Sequence, residues 1–222
     1  MRTRVVKDAD VRRAEILTTA MRLFAERGYE DTTVKDIADG LDISVGAVYI
    51  YFRDKDELYY AVVRDGLKIM TDMFAQAAKG EGSGLDRFSA IGMAYVKFWN
   101  ECPQYRRLLH GACPPIGPGG GRWGRECFAL NNERMGLLVQ TLMKGIEDGS
   151  VRRDIDPVSA AFCVAGSFHG VLSALEGLDD KTRKPGISEE GVMTALFDLF
   201  QTSLKGGGTD HAGKARKSQG EK

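Results

Sequence analysis

Residues 43–52 read ISVGAVYIYF. Ser44 suits the position just before a helix, where a hydroxyl accepts from a free backbone N–H. Ile43 before it can pack on Val48 as a hydrophobic staple. The helix so begun is about nine residues long, too short to hold alone in water. Gly46 in its first turn costs roughly another 1 kcal/mol relative to alanine. No residue of the stretch is charged, so neighbouring segments must supply its stability and its outer face must serve another end.

The flanking sequence supplies those neighbours. A helix over about 11–27 places Ile16, Ala20, Leu23 and Phe24 on one face, with Gly28 at its left-handed end. A two-turn helix then starts at Thr32 or Thr33 and buries Val34, Ile37, Ala38 and Leu41. After the quoted stretch, Asp54 and Glu57 open a helix whose face of Leu58, Val62, Ile69, Met73 and Phe74 continues to about residue 79. Two short helices, 33–40 and 44–52, joined by a tight turn and packed on a longer one, have the proportions of a helix-turn-helix, whose second helix enters the major groove of DNA. Gly46 and Ala47 keep that face small, and the hydroxyls of Tyr49 and Tyr51 suit phosphate contacts. Helical spacing puts Val45, Val48 and Phe52 inside, Tyr49 at their edge and Tyr51 outside. Thr33 and Ser44 add hydroxyls and helix N-termini that favour a phosphate. Arg2, Arg4 and Lys7 form a candidate minor-groove arm.

The rest of the 222 residues reads as helix throughout, with no sustained strand alternation. Lys+Arg 31 balance Asp+Glu 31, which confines any basic surface to a local patch. No apolar run is expected to reach the ~18 residues that cross a bilayer, and the N-terminus lacks a signal-peptide core, so a cytoplasmic, membrane-free protein is expected. Beyond the flexible GEGSG at 80–84, helices carry Phe88, Ile91, Tyr95, Phe98 and Trp99, then Tyr105, Leu108 and Leu109 from Pro103 onward. The Pro/Gly-rich 111–124 is a predicted loop. Helices follow over about 125–148, from Asp156-Pro157 to about 178, and from Ser188 to about 205; the tail from 206 is expected to be disordered. The fold class is all-α, with domains at 1–56 and 57–205.

The segment RRAEILTTAMRLFAERGYEDTTVKDIADGLDISVGAVYIYFRDKDEL, 12–58, resembles the N-terminal domain of the TetR family of bacterial transcriptional regulators. ILTTAMRLFAERGYEDTTVKDIA is similar to the family's first two helices, and VYIYFRDKDEL to its tyrosine-x-tyrosine-phenylalanine signature with the following lysine and acid-leucine pair. The resemblance implies a homodimer on a palindromic double-stranded DNA operator, and a C-terminal helical domain that dimerises and binds a small-molecule effector. It makes Thr33, Ser44, Tyr49, Tyr51 and Lys55 phosphate contacts, and sets Val45, Gly46 and Tyr49 against base edges, where valine suits a thymine methyl. The sequence departs from the family at Val45, often polar or basic there, at Ile50, often histidine, and at Asp42, usually a turn glycine.

An effector cavity is expected among the helices of 85–112 and 126–178, lined by Phe98, Trp99, Tyr105, His110, Met135, Phe168 and His169. By the same resemblance the last two helices pair with their mates, through Phe162, Ala165, Leu172, Ala195, Leu199 and Phe200. Cys102, Cys113, Cys127 and Cys163 are irregularly spaced, which favours free thiols over disulfides, and most of them read as small core residues. His110 and Cys113, three apart, leave a metal- or redox-sensing regulator as the alternative, and a helical interaction module as a remoter one. No motif for a cofactor, a resident metal or catalysis is present, so the sequence is read as that of a repressor and not of an enzyme.

Overall fold

The computed structural model describes residues 2–110, 121–176 and 188–206, less the side chains of 2–8, Arg106, Arg107, His110 and Glu176. Among these residues the chain forms nine helices and no strand, as the all-α reading expects: α1 Arg2–Arg27, α2 Val34–Asp39, α3 Val45–Tyr49, α4 Lys55–Ala78, α5 Gly84–Glu101, α6 Pro103–His110, α7 Gly121–Asp148, α8 Pro157–Glu176 and α9 Glu189–Leu204.

Local chemistry sets most helix starts. Thr33 and Asp36 form a reciprocal capping box at α2, with N–H donations of 2.8 and 3.1 Å. The side chains of Ser44, Asp54, Asp156 and Ser188 each accept from a backbone N–H three residues on, at 3.2, 2.7, 2.7 and 3.0 Å. Each such cap stabilises its helix by about 1 kcal/mol.

Helix α4 organises the packing, meeting α1 near its start and α5 and α7 along its length. Its Tyr59 stands edge-on to Phe24 and Tyr29 of the first unit, at 5.2 and 5.0 Å between ring centres. The hydroxyl of Tyr59 donates to the carbonyl of Leu108 on α6, and α6 also packs on α1. Gly66 makes this crossing possible, because a Cβ there would lie 2.5 Å from the ring of Tyr105.

Four boundaries and one property depart from the sequence expectation. Helix α1 begins at Arg2 rather than near residue 11, so the backbone of Arg2, Arg4 and Lys7 is helical and not an extended arm. Helix α3 spans five residues rather than nine: Ile50 is its C-cap, and Tyr51 lies in the turn beyond. Helix α7 starts at Gly121, inside the predicted loop, because Trp123 is held by the guanidinium groups of Arg13, Arg64 and Arg122 at 4.8, 5.4 and 4.6 Å from its ring. Gly206, placed in the tail, donates its N–H to the carbonyl of Ser150 at 2.8 Å, beside an isolated bridge between Val151 and Lys205; 207–222 lie outside the described residues. Residues 157–175 of α8, with mean hydropathy 1.6, are long and apolar enough to cross a membrane by length and composition, contrary to expectation, and 28% of that window is buried in the chain. Serines, alanines and glycines spread among its larger residues obscure this apolarity to the eye.

The turn between α2 and α3 holds Asp42 at φ 54, a left-handed conformation that glycine would adopt without strain. That conformation costs a residue with a β-carbon about 1–2 kcal/mol, less for aspartate and more for a β-branched side chain. Asp42→Gly should therefore hold or raise the thermal midpoint, and Asp42→Val should lower stability by about 1–2 kcal/mol in urea melts. Equal stabilities for the two variants would show that the turn carries no such strain.

Candidate nucleic-acid interface and cavity

Helix α3 is fastened from beneath. Val48 is 1% exposed, and Ile43 and Val45 are half-buried against the same core. Ser44 and Gly46 face outward, with Tyr49 at 50% and Ile50 at 80% exposure. Tyr51, expected outside, is half-buried on the core, and Tyr49, expected at the edge, stands out. Helical spacing misplaced Tyr51 because the helix ends at Tyr49, after which the period of 3.6 no longer governs direction. Ile50 entered the sequence reading only as a departure from the family, yet an aliphatic side chain so exposed at the end of a reading helix belongs to the outer face.

The polar side chains around α3 are already partly engaged. The hydroxyl of Thr33 donates to the Asp36 carboxylate at 2.5 Å and accepts the Asp36 N–H, and the two donations to that carboxylate, from the Thr33 hydroxyl and its backbone N–H, hold it below its ordinary range. An anion at the start of α2 would thus meet backbone N–H groups more than the threonine hydroxyl. Ser44 accepts from the N–H of Ala47 at 3.2 Å. Lys55 donates to the carbonyl of Tyr29 at 2.9 Å and stands 4.0 Å from the centre of its ring. The Tyr29 hydroxyl donates to Asp56, and burial together with that carboxylate raises its pKa. Lys55 thus joins the α1–α2 turn to α4, whatever else its remaining N–H groups meet. Nearby cations pair with acids: Arg53 with Asp54 at 2.6 Å, Lys35 with Asp39 at 2.6 Å and Arg27 with Asp36 at 3.7 Å.

Further along the chain, α4–α9 enclose a cavity of about 390 Å³. Met135, Phe168 and His169 of the expected set line it; Phe98, Trp99 and Tyr105 do not, being buried in the core. Phe98 stacks on Tyr105, with ring centres 6.4 Å apart, and the ring of Tyr105 covers Gly66. The side chain of His110 lies outside the described residues, as does Cys113. Two residues expected at a dimer interface, Ala165 and Phe200, line the cavity instead. Leu172, also expected there, is wholly buried within the chain. Phe162, Leu199 and Ala195 do face outward, the first two 61% and 65% exposed.

Arg134 on α7 is a cavity residue the sequence reading passed over. The signal was in the register: 127, 131, 134, 138, 142 and 145 follow helical spacing, and Cys127, Leu138, Leu142 and Gly145 are buried. An arginine at the middle of an inward stripe is the anomaly that would have found it.

Two of the described cysteines, Cys102 and Cys127, sit where burial disfavours the thiolate. Cys127 is buried, its Sγ donates to the carbonyl of Tyr60 at 3.4 Å, and burial pushes its thiol up to about 12. Burial also raises the thiol of Cys102, while Cys163 is exposed. No group of three histidine, cysteine or acidic side chains able to hold a metal occurs among the described residues.

Residues 16–62 match the profile of bacterial regulatory proteins of the tetR family. The chain is 35% identical over 157 residues to the HTH-type transcriptional repressor KstR2 of Mycobacterium tuberculosis, covering 69% of this chain and 76% of that protein. To the probable HTH-type transcriptional regulator ArpR of Pseudomonas putida it is 34% identical over 213 residues, 90% and 96% of the two chains. The solved structure of the ketosteroid transcriptional regulator KstR2 of Mycobacterium tuberculosis superposes with a TM-score of 0.66 at 22% identity, covering 87% of this chain and 95% of that one. With an outward-facing α3 fixed on a three-helix unit, and relatives this similar over most of their length, the chain belongs to the tetR family of bacterial regulatory proteins and is a DNA-binding transcriptional regulator.

Proposed function

We propose that this regulator is a cytoplasmic repressor that binds a palindromic operator as a homodimer, and that a small apolar effector releases it. Residues 1–56 read DNA, and residues 57–205 dimerise and hold the effector. The observation that carries this reading is the α3 face: Tyr49 and Ile50 project from a helix whose inner residue Val48 is fully packed, a costly display of apolar surface unless DNA covers it. In that arrangement Ser44, Tyr49 and the N-termini of α2 and α3 meet phosphates, while Gly46 and Ile50 approach base edges with Val45 behind them. Tyr51 and Lys55 reach the backbone from the turn and from the start of α4.

The cavity supports release. Its walls include Leu67, Met70 and Phe74 of α4, the helix whose first turn carries Lys55. An effector that favours one placement of α4 changes the spacing of two reading heads, and weakens operator binding by its differential affinity for the two states. The name of the relative as a ketosteroid regulator fits an apolar effector. For the dimer, Val158, Phe162 and Leu199 leave an apolar face on α8 and α9 that a second copy would cover.

Selection from a random duplex pool by the purified protein at near-physiological salt tests the reading. An enriched palindrome with half-sites about one helical turn apart, or somewhat more, is expected. No enrichment by a folded dimer, with or without added effectors, would overturn it.

On the selected duplex, Tyr49→Ala should weaken binding roughly tenfold, as loss of a hydrogen bond to phosphate requires, without moving the thermal midpoint. Lys55→Ala should lower affinity and also lower stability by about 1 kcal/mol, since it frees Tyr29. A Lys55→Ala protein as stable as the parent would remove its structural role.

Replacing Phe162 and Leu199 together by aspartate should yield a folded monomer in sedimentation equilibrium, with unchanged helical circular dichroism. A dimer that persists would place the interface elsewhere.

A further inference from the structure

Arg134 is a cation in an apolar place. The cavity around it is walled by Phe74, Phe88, Ile91, Tyr95 and Phe168, with Met70 and Asn131 close by. Its Nη2 donates to Asn131 Oδ1 at 2.7 Å, and its Nη1 turns to the thioether sulfur of Met70, a weak acceptor. Its Nε is fully buried with no hydrogen-bond partner, and among the described residues no carboxylate pairs with the group. Desolvation accordingly lowers its pKa. Arginine is rarely buried without a partner, because an uncompensated charge in a poor dielectric is among the most unfavourable groups a fold can hold. Arg134 as a whole is half-buried and Asn131, which bonds it, is exposed, so the guanidinium lies toward the cavity margin.

We infer that the effector is an organic anion, an apolar body bearing one small acidic group such as a carboxylate, with the acid bound in fork geometry by Arg134 and the body held among the aromatic walls. The inference rests on the cavity being the effector site. A planar guanidinium pairs with a carboxylate through two parallel N–H donations, and a charge-assisted pair in a dry site is stronger than its neutral counterpart. At about 390 Å³ the cavity is near the small end of ligand pockets, and a compact acid fits it better than a large conjugate. Specificity follows from the same charge: a neutral isostere leaves the guanidinium desolvated and unpaired.

A matched pair of fluorescent probes reads this directly. 1-Anilinonaphthalene-8-sulfonate and N-phenyl-1-naphthylamine share an apolar body and differ in the acidic group. The sulfonate is expected to bind once per chain, at least about tenfold more tightly than the amine. In Arg134→Met that preference should fall to about twofold or less, with the amine unaffected, while Arg134→Lys keeps part of it. Arg134→Met should also melt about 2–4 °C higher than the parent without probe, because the unpaired charge is gone; this shift verifies folding as well. Equal binding of both probes by the parent, a preference for the sulfonate that survives Arg134→Met, or binding of neither would overturn the inference. DNA binding measured in parallel separates the two readings. Loss of the anion preference with operator binding intact removes only the effector class, and an intact preference without DNA binding removes the repressor.

Discussion

The structure depends on one constraint, that α4 must be buried at both ends in different surroundings. Over 24 residues, about 36 Å at 1.5 Å per residue, it carries Leu58 and Tyr59 into the core of the first unit and Leu67, Met70 and Phe74 into the cavity wall. A helix five residues long such as α3 has no stability of its own. It exists because it packs on α2 and because Val48 and, just beyond it, Phe52 enter the common core, with Arg13 of α1 5.4 Å from the centre of the Phe52 ring. The same core is fixed by the Phe24–Tyr29–Tyr59 cluster and by Lys55 over Tyr29. The outer face of α3 is therefore held in place by buried aromatic residues, Phe24 and Tyr59, on other helices.

That arrangement explains why much of the fold could be read from the sequence. Ser44, Asp54, Asp156-Pro157 and Ser188 act on backbone groups three residues away, so their meaning is local and survives folding. Asp42 is equally local: a turn that needs a positive φ asks for glycine or a short polar side chain, whatever lies around it. The first turn of α7 obeys no such rule. Two of its four residues are glycines, each costing a helix roughly 1 kcal/mol relative to alanine, and the conformation follows from Arg13 and Arg64, far away in sequence, closing on Trp123.

The cavity was legible in kind and not in detail for the same reason. Periodicity puts Phe88, Ile91, Tyr95, Phe98 and Trp99 on the apolar sides of α5, but only the positions of α8 and α9 decide which of them meet empty space. Phe98 went to the core with Tyr105, and Tyr95 to the cavity beside Phe168, 5.6 Å from ring centre to ring centre. Ala165 and Phe200 likewise carry an apolar character that suits a dimer seam or a cavity wall equally. Charge, which the sequence reading did not use, would have been the better guide there, because an arginine such as Arg134 in the middle of an inward stripe is an anomaly that apolar residues are not.

Helix α7 links that charge to the first unit. Arg134 and Trp123 are eleven positions apart on one rigid helix, about 16 Å, and Trp123 is the residue that Arg13 of α1 grips. Arg64 of α4 shares the indole and also pairs with Glu126 at 3.1 Å, so α1, α4 and α7 meet in one electrostatic knot. A ligand that neutralises Arg134 would remove an unfavourable buried charge only in the conformation that brings its acid to the guanidinium. If α7 has two placements, that would give the ligand a difference in affinity between them, and a difference of about 1.4 kcal/mol shifts such a balance tenfold. On the proposed effector reading, a shift of α7 would carry Trp123 with it and so act on Arg13 of α1 through the indole that the two helices share.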